Sequence, residues 1–377
     1  MLQELIPPNY IPILVQGVAV LFKILVLLVV ALQVAPIMTW VERRQMAVTQ
    51  RRLGPNRVGF LPKLFGGFGF FGLGQPLADA IKLLFKEDFF PQGVHKTFYF
   101  LAPVIISVTA MMAIMGIPFG HSVVVFDQII DLRPIALDVG FLFLFAMSSL
   151  GVYGVALAGW ASNSKYPLLG GLRSSAQMVS YEISMGLALI PPVLIFGTLD
   201  LQKIIALQAE GLWGVFGAPV SFVIFTITMF AETNRLPFDL AEGESELVAG
   251  FLTEYGSMRW SQFFLGEYTM MFTLSMLAVC LFLGGYELPF VTHEMLLEFV
   301  KKVTTLEAAF AQWIVVLINL GVLILKAAVF MLLFAQVRFT LPRFRYDQLM
   351  RLGWIVLLPI ALANVVITAI VVGFIRF

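Results

Sequence analysis

Long apolar blocks alternate with shorter polar connections along this 377-residue chain. A helix needs about 20 mostly apolar residues to cross a hydrocarbon core of about 30 Å. Eight blocks reach that scale, at roughly 13–38, 98–117, 138–160, 177–198, 214–232, 267–284, 308–335 and 352–374. They lack the two-residue alternation of barrel strands. The pattern predicts an all-α, polytopic integral membrane protein with eight transmembrane helices in a single membrane domain over 1–377. One stretch departs from the plan. Residues 60–86 are apolar but glycine-rich and are interrupted by Pro62 and Pro76. From Leu77 onward, Leu77, Ile81, Leu84 and Phe85 share one helical face, away from Asp79, Lys82 and Lys86. That spacing predicts an interfacial amphipathic helix in the first connection.

Composition agrees with lipid burial. Apolar residues make up 60% and charged residues 12%, about half the charged share of a soluble domain. A net charge of +1 gives no global field for nucleic acid. The single Cys280 excludes an internal disulfide, a thiolate metal cage and a cysteine-ligated cluster. His95, His121 and His293 lie far apart in sequence, so neither a haem pair nor an HExxH zinc motif is written, and no metal site is expected. The segment with Glu4, Pro7, Pro8 and Asn9 has no charged leader or small-residue cleavage site, so the first block is expected to be retained. No internal repeat is evident.

Lysines and arginines orient the blocks. The odd-numbered connections carry 17 of them and the opposite side carries five, with Lys23 and Lys326 inside blocks. The basic side is expected to face the cytoplasm, with both termini outward.

The connection 231–256, AETNRLPFDLAEGESELVAGFLTEYG, carries Glu232, Asp239, Glu242, Glu244, Glu246 and Glu254 against the single cation Arg235. Crowding and burial raise carboxylate pKa values, so such a group can hold and pass protons near neutral pH. The other reading is a solvated acidic loop. The interleaved Leu236, Phe238, Leu247, Val248, Phe251 and Leu252 favour a packed setting. If helical, Asp239, Glu242 and Glu246 share a face, although Pro237 and Gly243 oppose one unbroken helix. Glu182 lies near the cytoplasmic end of the fourth block, as a proton site or a hydrogen-bonded end residue. Pro191 and Pro192 should kink or loosen that block. Lys326 should face protein or water, most simply as a structural ion pair, and Lys23 either does the same or snorkels to an edge. Asp138 is read as a cap of the third block. The basic run Glu42-Arg43-Arg44, with Arg51, Arg52 and Arg57 around the turn Gly54-Pro55-Asn56, reads as lipid-headgroup anchoring, or as binding to a partner or a quinone head.

The stretches ERRQMAVTQRRLGPNRVG at 42–59, QPLADAIKLLFKED at 75–88, SYEI at 180–183, the acidic run at 231–256 and RFRYDQLMRLGW at 343–354 resemble, in order, the quinone-site membrane subunit family of respiratory complex I. The resemblance covers roughly residues 14–374. It implies a subunit of NADH:quinone oxidoreductase that forms the quinone-access chamber in a bacterial inner membrane or an organellar equivalent, with no complete active site of its own. It implies ubiquinone or menaquinone as substrate. Flavin and iron–sulfur clusters would belong to hydrophilic partner subunits, and small membrane subunits would pack alongside. It assigns Glu182, Glu232, Asp239, Glu242, Glu244, Glu246, Glu254 and Asp79 to a proton-linked path. It assigns Glu42, Arg43, Arg44, Arg52 and Arg235 to the quinone chamber and subunit junction. Extra Phe and Gly residues at 60–74 depart from the family pattern, and the third block has no carboxylate beyond Asp138. Three other readings stay open: the homologous subunit of an energy-converting hydrogenase or a ferredoxin- or F420-linked complex, a stand-alone proton or ion transporter, and a passive membrane anchor.

Overall fold

The computed structural model describes residues 11–56, 58, 72–125, 128–135, 137–240, 243, 247–289, 291, 293–304 and 308–376. Within them the helices are α1 (Ile11–Thr49), α2 (Gln75–Phe85), α3 (Lys96–Ala113), α4 (Gly140–Ala161), α5 (Lys165–Phe196), α6 (Leu201–Glu210) and α7 (Pro219–Glu232), followed by α8 (Ser257–Phe282), α9 (His293–Thr304), α10 (Ala308–Thr340), α11 (Tyr346–Arg351) and α12 (Leu358–Arg376). A π-helical segment, Leu352–Leu357, joins α11 to α12. Among the described residues one small antiparallel hairpin pairs β1 (Val123–Val125) with β2 (Gln128–Ile130).

Among the described residues, seven helical segments are long and apolar enough to cross a membrane. The fifth predicted block differs. Its first residues form a single turn, Gly214–Gly217, and Ala218 breaks away before Pro219 starts α7. Proline fits the first helical turn but cannot continue a helix from upstream. The resulting 14-residue helix is about 21 Å long at 1.5 Å per residue. The first and sixth blocks also extend further than predicted, to Thr49 and back to Ser257.

α8 is the axis of the bundle. In its most apolar stretch 78% of residues are buried, against 11% for the α11–α12 segment and 17% for α1. α3, α10 and α1 pack against it, while α3–α4, α4–α5 and α5–α7 form neighbouring pairs. Large apolar side chains such as Leu21, Leu25, Leu325 and Phe374 stay exposed around the outside, as lipid-facing residues do. Close approach needs small residues. A Cβ on Gly170 of α5 would lie 2.6 Å from the Gly250 Cα, and Gly250 itself has a φ of +53°, which favours glycine.

α5 stays helical through Pro191 and Pro192, both buried. Two local expectations are corrected. Val139, not Asp138, is the N-cap of α4, and no side chain caps it. Lys326 donates to the backbone carbonyls of Leu283, Gly285 and Glu287 at 2.8, 3.0 and 2.6 Å rather than to a carboxylate. Lys23 does likewise with Asp131 and Arg133, at 2.8 and 2.9 Å. Lys326 therefore ties down the turn after α8, and Lys23 the segment after β2. Helix α2 forms where the amphipathic spacing placed it and buries none of its residues.

Candidate functional site: a buried polar network around Arg235

The described part of the acidic connection is packed, not bathed. Phe238, Leu240, Leu247, Phe251 and Leu252 are buried. The Tyr99 hydroxyl donates to the Glu254 carbonyl at 2.6 Å, and the Tyr99 and Tyr255 rings stack with centroids 4.3 Å apart. Asp239 lies in non-helical backbone, paired with Arg343 at 3.2 Å. Glu242, Glu244 and Glu246 lie outside the described residues, so the proposed acidic face with Asp239 does too.

Arg235 is 5% exposed and stands between two carboxylates. Its Nε reaches Glu267 at 2.5 Å and its Nη1 reaches Glu42 at 3.3 Å. The Tyr268 ring lies under the guanidinium, 4.3 Å from centroid to carbon. Glu42 also accepts from the Tyr268 hydroxyl at 2.9 Å and from Arg338 at 2.7 Å. Burial opposes the Arg235 charge, but Glu267, Tyr268 and Glu42 outweigh it and hold the guanidinium well above its usual pKa. Four helices or their ends supply these groups: α1, the segment after α7, α8 and α10.

One helical turn before Arg235, Glu232 is 2% exposed, and neither carboxylate oxygen has a hydrogen-bond partner among the described residues. A buried carboxyl group without a partner costs most as an isolated anion. Glu182 on α5 is the acid whose charge acts on it. Ser149 of α4 in turn donates a short hydrogen bond to Glu182. Glu232 and Glu267 line one cavity of about 70 Å³ with Thr109, Ser148, Thr233 and Asn234. That is room for a few water molecules. The cavity thus joins the ion network to the unpartnered acid.

The remaining candidates spread out. Asp79 pairs with Arg43 at 2.6 Å and accepts from Gln75 at 3.0 Å, linking α1 to α2. Arg44 lies against Gly54. Exposed Arg52 donates to Gln50 at 2.7 Å and joins none of the groups above. Ser257 donates to the Leu83 and Lys86 carbonyls, both at 3.0 Å, and Arg259 pairs with Asp88 at 2.6 Å, fixing the segment after α2 on α8. Sequence reasoning missed Glu267, Tyr268 and Arg338 as partners of Arg235. It also set the three histidines apart. His121 and His293 in fact meet, with ring centroids 4.0 Å apart, beside Glu287, while His95 stacks on Trp160. Burial, and after it the neighbouring His121, lowers the His293 pKa.

Comparison with known proteins gives this geometry its setting. A family profile described as NADH dehydrogenase matches residues 22–369. An H-type NADH-quinone oxidoreductase subunit of Geobacter sulfurreducens is 47% identical over 94% of this chain and 96% of its own length. The H-type subunit of Protochlamydia amoebophila is 48% identical over 89% of this chain and 92% of its own. NADH-quinone oxidoreductase subunit 8 of Rhodothermus marinus is 45% identical over the same two shares, 89% and 92%. These relatives are subunits of an oxidoreductase complex rather than self-sufficient enzymes. With a match this long and this even, the chain belongs to the NADH dehydrogenase family of membrane subunits.

Proposed function

We propose that this chain is the membrane subunit of a proton-translocating NADH:quinone oxidoreductase, that it forms the quinone-access chamber, and that it couples quinone reduction to proton movement through its buried carboxylates. The observation that carries the coupling is the buried, unpartnered Glu232, opening on a cavity it shares with Glu267 of the Arg235 network. The names of the relatives favour this reading over the hydrogenase-type one. For access, the exposed face of α2, with Leu77, Ile81, Leu84 and Phe85, lies beside the Arg43–Asp79 pair. An isoprenoid tail suits the apolar face and a polar head suits the pair. The quinone is ubiquinone or menaquinone. Its electrons come from clusters in partner subunits, because one buried cysteine cannot ligate such a cluster.

In this mechanism a change of charge at the quinone head alters the field at Glu42, Arg235 and Glu267. The cavity carries that change to Glu232, which gives its proton to Glu182 and regains one from cavity water. Static carboxylates do not pump, so the network must favour different proton positions before and after reduction. Asp239, Glu242, Glu244, Glu246, Glu254 and Asp79 extend the same acidic path toward the connection, and Arg44 and Arg52 brace the junction with the hydrophilic arm. The setting is a bacterial inner membrane, with both termini outward.

The test is Glu232→Gln in the assembled complex. Quinone reduction coupled to proton uptake should fall about a hundredfold or more, the scale of losing one proton-transfer group, while NADH oxidation by a soluble artificial acceptor is unchanged. Wild-type quinone reduction and proton translocation, with subunit composition intact, would remove Glu232 from the path. Proton transport by the purified chain alone would favour the stand-alone transporter.

A further inference from the structure

A second group of ligands sits at the other end of the bundle from Arg235, where α3 and α8 finish. His121 follows α3, Glu287 lies in the turn after α8, and His293 opens α9. One ligand atom from each lies within 4.8 Å of the other two. The His121 Nε2 faces the Glu287 carboxylate in a short contact. The Nδ1 of His293 is buried and has no hydrogen-bond partner among the described residues, and neither does the hydroxyl of fully buried Tyr286. A structural His–Glu pair accounts for the first contact. It leaves the second imidazole unexplained.

We propose that His121, Glu287 and His293 bind a divalent zinc ion that clamps the connection after α3, the turn after α8 and the start of α9 to one another.

The ligand set and its surroundings suit zinc. Two imidazole nitrogens and one carboxylate oxygen are a common zinc ligand set, with a fourth position left for water. Calcium and magnesium prefer all-oxygen sites. The supports are also in place. Glu287 is 3% exposed, and its turn is held by Lys326 through three carbonyls, one of them its own. The lysine's hydrogen bonds there go to backbone carbonyls and leave the carboxylate oxygens free of them. The His121 ring rests edge-on against Tyr286, 5.0 Å away, which limits its rotation. Ligands about 2.1 Å from a tetrahedral ion stand roughly 3.4 Å apart, so side-chain rotation of about an ångström closes the site. His121 keeps 24% of its side chain exposed, which leaves a way in.

The test uses the assembly that purifies with this chain. After chelation and dialysis, zinc chloride is added, excess is removed, and bound zinc is measured by mass spectrometry against protein. The wild type should retain one zinc more per copy of this chain than H121Q/H293Q, and its zinc-edge absorption spectrum should show two imidazoles among the light-atom ligands. Magnesium should not be retained. Equal zinc in the two proteins, or a spectrum without imidazole ligation, overturns the proposal. Should the double variant fail to assemble, the wild-type spectrum and E287Q, expected to bind zinc at least tenfold more weakly, decide the matter.

Discussion

Arg235 neutralises Glu42 on one side and Glu267 on the other, so replacing it leaves buried charge behind rather than merely deleting a contact. Breaking a buried pair in this way costs about 3–5 kcal/mol. Arg235→Met should lower the thermal midpoint of the assembled complex well below that of Arg343→Met, whose Asp239 pair is more open to solvent. Equal midpoints would mean that the network is held by something else. Lys326→Met removes three hydrogen bonds from one turn. Hydrogen exchange over Gly284–Glu287 should then speed up while the middle of α8 stays protected. Both predictions rest on residues whose roles were only partly legible. The sequence showed that Arg235 was the lone cation of its stretch and that Lys326 lay too deep for lipid. It hid Arg338, which meets Glu42 across 296 positions, because ion pairs between distant helices leave no local pattern. It hid the lysine's partners because a backbone carbonyl has no residue code.

Among the helices, amphipathic and apolar periodicity translated well where nothing interrupted it. α2 occupies the stretch its one-sided leucine and isoleucine spacing marks out. The fifth block misled because composition measures greasiness and says little about continuity: Gly217, Ala218 and Pro219 break what hydropathy joins. The 3₁₀ turn Gly250–Leu252, which follows the acidic run, is seated on α5 only because Gly170 has no side chain. Gly170→Ala puts a methyl group 2.6 Å from the Gly250 Cα, where backbone must move. We expect overpacking of about 1–3 kcal/mol, seen as faster proteolysis or exchange across Gly250–Tyr255. An unchanged exchange pattern there would show that the two segments part without cost.

For the molecule as a whole, the question is whether α7 crosses with the seven longer helices. A Cβ on Gly214 would lie 2.2 Å from the Leu281 carbonyl, near one end of α8, while Glu232 shares a cavity with Glu267 near the other. The segment therefore runs antiparallel to α8 over most of its apolar length, and the connections on its two sides open at opposite ends. On this ground we propose eight crossings, with both termini on one side. The native thiol, Cys280, is fully buried, so single cysteines report cleanly. Lys165→Cys should react with an impermeant reagent from the cytoplasmic face, and Lys301→Cys from the outer face, both positions being exposed, read on peptides of this chain. Reaction of both from the same face would discard the arrangement. The central position of α8 also bears on how the protein is made. It is the least apolar of the seven long helices and carries Glu267, so a bilayer alone offers it a poor welcome on leaving the translocon. Its principal neighbour α3, along with α4, α5 and α7, is synthesised first. Biogenesis should therefore run by apprenticeship, with the early helices gathering into a cradle and the future axis retained near the insertion machinery until that cradle receives it.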